Sequence, residues 1–384
     1  MRAYAPSYIK YKNRKLIFNM FLENEALSRA EITRKTTMSF PTVMKVVEFL
    51  LQKNIIVECG DTVANDEGLG RRSKLLSLNA NAYLAIGLEF EGKFVHIGLV
   101  NLKGDILAER TLKMKSTDKR FDLRVLLPDI REIATRHTSI PVLGIGIGLP
   151  GAIHPDNNSI VRYTNLSITK EQPFSSVFPS FVQELNIPYY IQNDANMACL
   201  GEMYLRNADD IKDLIYISLG TGLGAGIILD GDIRHGSNFL AGEIGKTIPG
   251  KVDFRELRYR KNSDLSVQNL INLNAIQNLF KVDIRSDSSL NSEIRQDIAD
   301  YICEYLCVIV YNLANILDVS EFIIGGIIPD CLGDIFYERF EKYIHMISDM
   351  EDIRVSPPSS KYSGIIGGAV TVFENVIFDM FEEE

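Results

Sequence analysis

Leu16, Ile17, Met20 and Phe21 recur at helical spacing and predict a first helix over about residues 12–23. Ser28-Arg29-Ala30-Glu31 then reads as a capping box. The serine hydroxyl can accept from the third helical amide while the glutamate reaches back to the cap amide. That starts a short second helix ending near Lys35. Ser39 caps a third, in which Val43, Val46, Val47, Leu50 and Leu51 fall at i, i+3, i+4, i+7 and i+8 and form a buried stripe. Phe40, Thr42 and Lys45 open its other face. Residues 55–58 and 75–78 read as strands, and the polar loop between them carries Arg71 and Arg72 just before Lys74. Two short helices, a tight turn and a basic hairpin make the order of a winged helix-turn-helix. An ordinary three-helix interaction module with a solvated basic face fits the same pattern.

Beyond residue 78 the pattern repeats. Residues 86–106 and 215–233 each read as strand, glycine-containing turn and strand, and each closes on Leu-x-Gly-Asp-Ile. Each is followed by a helix and an apolar strand ending in glycines, at 142–151 and 322–329. A duplicated unit of this kind predicts two related α/β lobes with a ligand between them. In the second copy Gly220, Thr221, Gly222 and Gly224 form a loop whose backbone amides can converge on a phosphate; tight turns use such loops too. In the first copy the same place holds Glu89, Glu91 and Lys93. Two carboxylates and bulky side chains there predict a disabled nucleotide site.

Charge sharpens the division. Residues 1–78 hold 13 Lys and Arg against 8 Asp and Glu, a balance of +5, so −14 falls on the rest of a 384-residue chain of net charge −9. A basic head on an acidic body points to a polyanion partner for the head alone. No run approaches the roughly 20 apolar residues of a membrane span, and the basic N-terminus lacks the apolar core of a secretory signal. The cytoplasm is the expected location. The five cysteines are scattered, which does not suggest a disulfide framework. Cys303 and Cys307 share a helix face, as two small core residues or, less simply, a metal pair. Cys199 is read as core.

Gly148-Leu149-Pro150-Gly151, Asn193-Asp194-Ala195-Asn196, the Gly220–Gly226 loop and Ala241-Gly242-Glu243-Ile244-Gly245, behind the head's Ser28-Arg29-Ala30-Glu31 and Gly70-Arg71-Arg72, resemble the ROK family of repressors, open reading frames and kinases. The likeness covers nearly the whole chain and is strongest to the transcriptional-regulator branch, that of xylose and N-acetylglucosamine repressors. It implies an α/β fold with an N-terminal winged helix-turn-helix over residues 1–78 and a two-lobed, actin-like (ribonuclease-H-like) ROK sugar-kinase-like domain over 79–384. Lobe one would take about 79–190 plus a C-terminal helix, 364–382, with a frayed end; lobe two would take about 191–363.

The same likeness implies that Asn165, Asn193, Asp194 and Glu243 hydrogen-bond a sugar or sugar phosphate, and that Asp194 would be the general base of a kinase. On the residues alone, Asn193-Asp194 also reads as a strand-to-helix cap. Ser28, Arg29, Ser39, Phe40, Thr42, Lys45, Arg71, Arg72 and Lys74 would face double-stranded operator DNA. A homodimer, or a dimer of dimers, is expected, with no membrane partner and no cofactor. Coupling between head and body is expected near residues 78–83.

Two departures from the family stand out. The zinc-ligating His that follows Glu-x-Gly is replaced by Lys246, and no cysteine occurs in 247–264, so no metal site is expected. Lys246 would favour an anionic ligand or pair with a neighbouring carboxylate. Glu89, Glu91 and Lys93 replace the Asp-x-Gly-x-Thr pattern of the kinases, so ATP turnover is not expected. The rival readings are an active ATP-dependent sugar kinase and a DNA-binding protein whose body only dimerises.

Overall fold

The computed structural model describes residues 6–61, 74–114, 122–136, 139–163, 166–206, 211–252, 265–286, 290–348 and 353–382. Helices Pro6–Glu23, Arg29–Thr36 and Phe40–Gln52 pack against a small antiparallel sheet in which Lys74–Leu78 is central, between Leu27–Ser28 and Ile56–Asp61. Ser28 makes both halves of the capping box: its hydroxyl accepts from Glu31 N, and Glu31 Oε2 accepts from Ser28 N at 2.8 Å. Val43, Val46, Val47 and Leu50 are buried as their spacing requires. Leu16 is not. It is 44% exposed, and Phe18 points inward in its place at 1%.

The duplication appears as two five-stranded sheets with one topology. In the first, Leu84–Glu91, Phe94–Asn101 and Ile106–Lys113 form an antiparallel meander; Val142–Leu149 and then Tyr189–Asn193 add in parallel on the other side. In the second, Leu214–Leu219, Leu223–Leu229 and Asp232–Ile233 form the meander, and Glu321–Gly325 and Arg354–Ser356 add in parallel. The apolar run expected as a strand over 322–329 is cut in two. Its strand ends at Gly325, and Ile327–Leu332 is a helix. Gly326 turns the chain between them at φ 104°, which a side chain rarely tolerates.

Helices Asp194–Arg206 and Ser363–Glu382 cross between the layers, backbone against backbone. A Cβ on Gly367 would collide with the Met197 carbonyl, and one on Gly201 with that of Ser363. Beside this crossing Glu202, with no exposed side-chain surface, accepts from Ser359 N at 2.9 Å, from Ser363 Oγ and from Arg206 Nε at 3.3 Å. It thereby pins the segment that returns the chain from the second sheet to the C-terminal helix.

That helix also carries the head. Phe378 and Phe381 meet Phe18 edge-on, each with ring centroids 6.0 Å away; Phe381 meets Phe49 likewise, and Arg14 donates to Phe381 O at 2.6 Å. The expected frayed end is therefore corrected through Phe381, which is fully buried. Segment 78–83 makes a second tie, with Tyr83 donating to Lys53 O and Asn79 to Asn54 O, both at 3.0 Å. The C-terminal helix and Ser292–Leu317 are long and apolar enough to cross a membrane by length and composition. Here the first is buried between layers, and the second lays Ile298, Ile302, Leu306 and Val310 into the core of the second lobe. Cys303 and Cys307 belong to that core, and Cys199 is buried as well.

Candidate functional site

The parallel strands of both sheets end at one cleft of about 390 Å³, the usual ligand position in open α/β folds. Asn193 closes strand Tyr189–Asn193, and Asp194 opens the following helix. Asn193 is largely engaged in holding this junction: its Oδ1 accepts from Asn196 N, and its Nδ2 donates to Gly151 O, both at 3.0 Å. Asp194 Oδ1 accepts from Ala195 N at 2.9 Å. Burial, helped by the nearby negative charge of Glu243, pushes the Asp194 carboxyl up to about 6. Glu243 pairs with Lys246 at 2.8 Å, so the lysine that replaces the zinc ligand is matched to a carboxylate. Asn165 lies outside the described residues.

At the other end of the cleft the first-lobe turn is closed against the second lobe. A Cβ on Gly92 would stand 3.0 Å from Thr221 Cγ2, so the two turns that would separate around a nucleotide's phosphates touch. The Glu89 carboxyl lies against Gly364, at the start of the C-terminal helix, where even a methyl group would overlap it. Burial and the charge of Glu91 raise Glu89 to about 8. Lying against Gly364 with its carboxyl raised, Glu89 obstructs this end of the cleft by bulk as well as by charge. His96 is raised by its 3.3 Å contact with Glu91 and also meets Thr111 Oγ1 at 2.9 Å.

The second-lobe loop is different. A Cβ at Gly222 would meet nothing within 4 Å, and those at Gly220 and Gly224 only ordinary neighbours, at 3.8 and 3.7 Å. Packing does not demand these three glycines, so the loop presents bare backbone to the cleft. Gly226, by contrast, is required, since a Cβ there would collide with Cys199.

Sequence reasoning missed Phe239. It lines the cleft from a polar loop, and its ring stacks on His154 at 4.1 Å with 29° between planes. A lone aromatic between turn residues carries no periodic signal. Among the described residues, no group of three or more His, Cys, Asp or Glu is placed to hold a metal ion.

On the head, Ser39, Phe40 and Lys45 are exposed together at the start of the third helix, with Thr42 beside them and bonded to Ser39. Ser28 turns inward as a buried cap, and Arg29 reaches Glu58 at 3.8 Å. These two hold the fold rather than face outward. Lys74 is exposed and pairs with Glu58. Arg71 and Arg72 lie outside the described residues.

Two like-ordered sheets facing each other across a cleft define a two-lobed, actin-like α/β protein. Residues 85–258 match the ROK family, and the chain carries a ROK-family domain. It is 28% identical over 400 residues to the xylose repressor of Caldicellulosiruptor bescii, with 97% of each chain covered. A glucokinase of Halalkalibacterium halodurans is 27% identical over 315 residues, which cover 74% of this chain and 93% of that one. A crystal structure described as a ROK family transcriptional regulator, homologous to the Mlc protein of Escherichia coli, superposes over 98% of each chain. The TM-score is 0.73 at 18% identity, so the shared fold includes the head.

Proposed function

We propose that the chain is a sugar-responsive transcriptional repressor of carbohydrate genes. On this reading residues 1–78 are a winged helix-turn-helix that binds operator DNA, and residues 79–384 are a sensor that binds a neutral sugar between its lobes. The observation that carries it is the pairing of a basic head, whose third helix exposes Ser39, Phe40 and Lys45, with a cleft whose sugar end is furnished and whose nucleotide end is narrowed by the Gly92–Thr221 contact. Asp194 and Glu243, with what remains free of the Asn193 amide, accept and donate to sugar hydroxyls. Lys246, matched to Glu243, gives an anionic ligand no unpaired cation there, which favours a free sugar over a sugar phosphate. The xylose repressors to which the chain is similar nominate D-xylose as the first ligand to try.

Two heads on a homodimer present two third helices to a palindromic operator, with Ser39, Phe40 and Thr42 at the groove and Lys45, Arg71, Arg72 and Lys74 on the flanking phosphates. The protein acts in the cytoplasm, where its DNA is. The kinase reading draws on the open glycine loop, on Asp194 and on the glucokinase relative. Against it stand the Gly92–Thr221 contact and the bulk of Glu89.

Lys45→Ala tests the head. It is expected to weaken binding to all DNA sequences about equally and to lower the slope of log affinity against log salt by about 1, the signature of one lost phosphate contact. An unchanged slope in salt-titrated fluorescence anisotropy removes Lys45 from the interface.

A further inference from the structure

Two local costs coincide at one wall of the cleft. Phe239 has φ 55°, a region bulky L-residues rarely adopt. His154 Nδ1, behind it, is buried with no hydrogen-bond partner. Its other nitrogen, Nε2, accepts from Asn157 Nδ2 at 3.1 Å, which leaves the proton of the neutral ring on the unpartnered Nδ1. Strained backbone and unmet donors persist where the surroundings enforce them, and they concentrate at ligand clamps.

The surroundings here do enforce them. The loop bearing Phe239 is tied down by Ala241 N donating to His235 O at 3.1 Å, and by Gly242, where a Cβ would collide with the Ala225 carbonyl. His235 Nε2 accepts from Gln192 Nε2 at 3.1 Å, while Gln192 Oε1 accepts from Asn193 N at 2.9 Å. The Phe239 loop is thus linked through one glutamine side chain to the Asn193–Asp194 junction. The strand Tyr189–Asn193 belongs to the first sheet, past the boundary expected near residue 190, so His154 and Gln192 belong to the first lobe, and His235 and Phe239 to the second. The ring therefore meets its His154 brace only while the lobes stand as they do here.

We propose that the Phe239 ring, braced from behind by His154, is the platform on which the apolar C–H face of a neutral pyranose lies. The reading rests on the sugar-sensing function proposed above. Aromatic rings supply a large, rigid apolar surface with little conformational freedom to lose, and the polar groups that orient the ligand, Asp194 and Glu243, line the same cleft. A pyranose with a charged or bulky group on the stacked face is excluded. Because brace and ring come from different lobes, occupancy of the platform favours the lobe arrangement in which the two meet.

The test is isothermal titration of the full-length protein with D-xylose, D-glucose, D-ribose, L-arabinose and N-acetylglucosamine, followed by the variants with whichever sugar binds. Phe239→Ala is expected to raise the Kd about tenfold or more, and His154→Ala by a smaller factor. Phe239→Tyr, which keeps the ring, should stay within about threefold of wild type. Wild-type Kd in Phe239→Ala overturns the platform while leaving the sensor reading intact. If Phe239→Ala shows no cooperative unfolding transition, His154→Ala decides, and an unchanged Kd there overturns the proposal. A wild-type protein that binds none of the sugars removes the sensor reading and the platform with it.

Discussion

Replacing Glu89 with glutamine is expected to stabilise the protein by a few kcal/mol above pH 8 and to leave it nearly unchanged near pH 4. The carboxyl is raised to about 8 in the folded chain, by burial and by Glu91. Asp194 and Asp330 push in the same direction and His96 against it. A raised carboxyl binds its proton more tightly folded than unfolded. Its contribution is therefore fully present below the ordinary value of 4.5 and is lost as pH rises through about 8. A difference of one pH unit between the folded and unfolded midpoints is worth about 1.4 kcal/mol, which sets the order of magnitude of the effect. Glutamine has the same shape and no charge to bury. Urea unfolding of both proteins at acidic and alkaline pH checks this. A stability difference independent of pH would mean that Glu89 is solvated and that its charge, rather than its bulk, confronts a nucleotide.

The second large effect is expected at Glu202. Glu202→Gln should cost about 3 kcal/mol, because it leaves the half-buried Arg206 guanidinium without its charge partner and weakens the bonds from Ser359 and Ser363. Those bonds hold the segment that joins the second sheet to the C-terminal helix, and that helix carries the head through Phe378 and Phe381. The variant is therefore also expected to loosen the relation of head to body, seen as faster amide exchange in residues 359–367. A loss below about 1 kcal/mol would show that the Gly201–Gly367 crossing holds the junction without the charge.

Much of this architecture is legible in the sequence because it rests on local periodicity and on repetition. The Val43–Leu50 stripe, the Ser28 capping box and the paired Leu-x-Gly-Asp-Ile tails each state a local rule that the fold obeys. The errors occur where local rules are silent. Residues 322–329 are apolar throughout, and a buried strand and a buried helix look alike in such a run; only the positive φ of Gly326 separates them. Leu16 fits the helical stripe but faces out, because the helix presents Ile17 and Phe18 to the C-terminal helix instead.

The site divides in the same way. Asn193, Asp194, Glu243 and the glycine loop can be named from their motifs. The upward shift of the Glu89 carboxyl cannot, since it depends on burial against Gly364, 275 positions along the chain. The Lys246–Glu243 pair is one of two arrangements that the sequence leaves open, and the structure takes it. Glu202 and Phe239 give no signal, because their partners at Ser359 and His154 are distant in sequence.

The most direct measurement is the affinity of the full-length protein for a DNA duplex it has itself selected from a random pool, at fixed salt, with and without saturating D-xylose. A ligand that binds one lobe arrangement in preference to another changes DNA affinity by its differential affinity for the two. The sensor reading predicts tight, sequence-preferring binding that the sugar weakens by a factor between about 5 and about 150. The same affinity with and without D-xylose, in a protein that titration shows to bind it, would contradict the claim that the cleft governs the head.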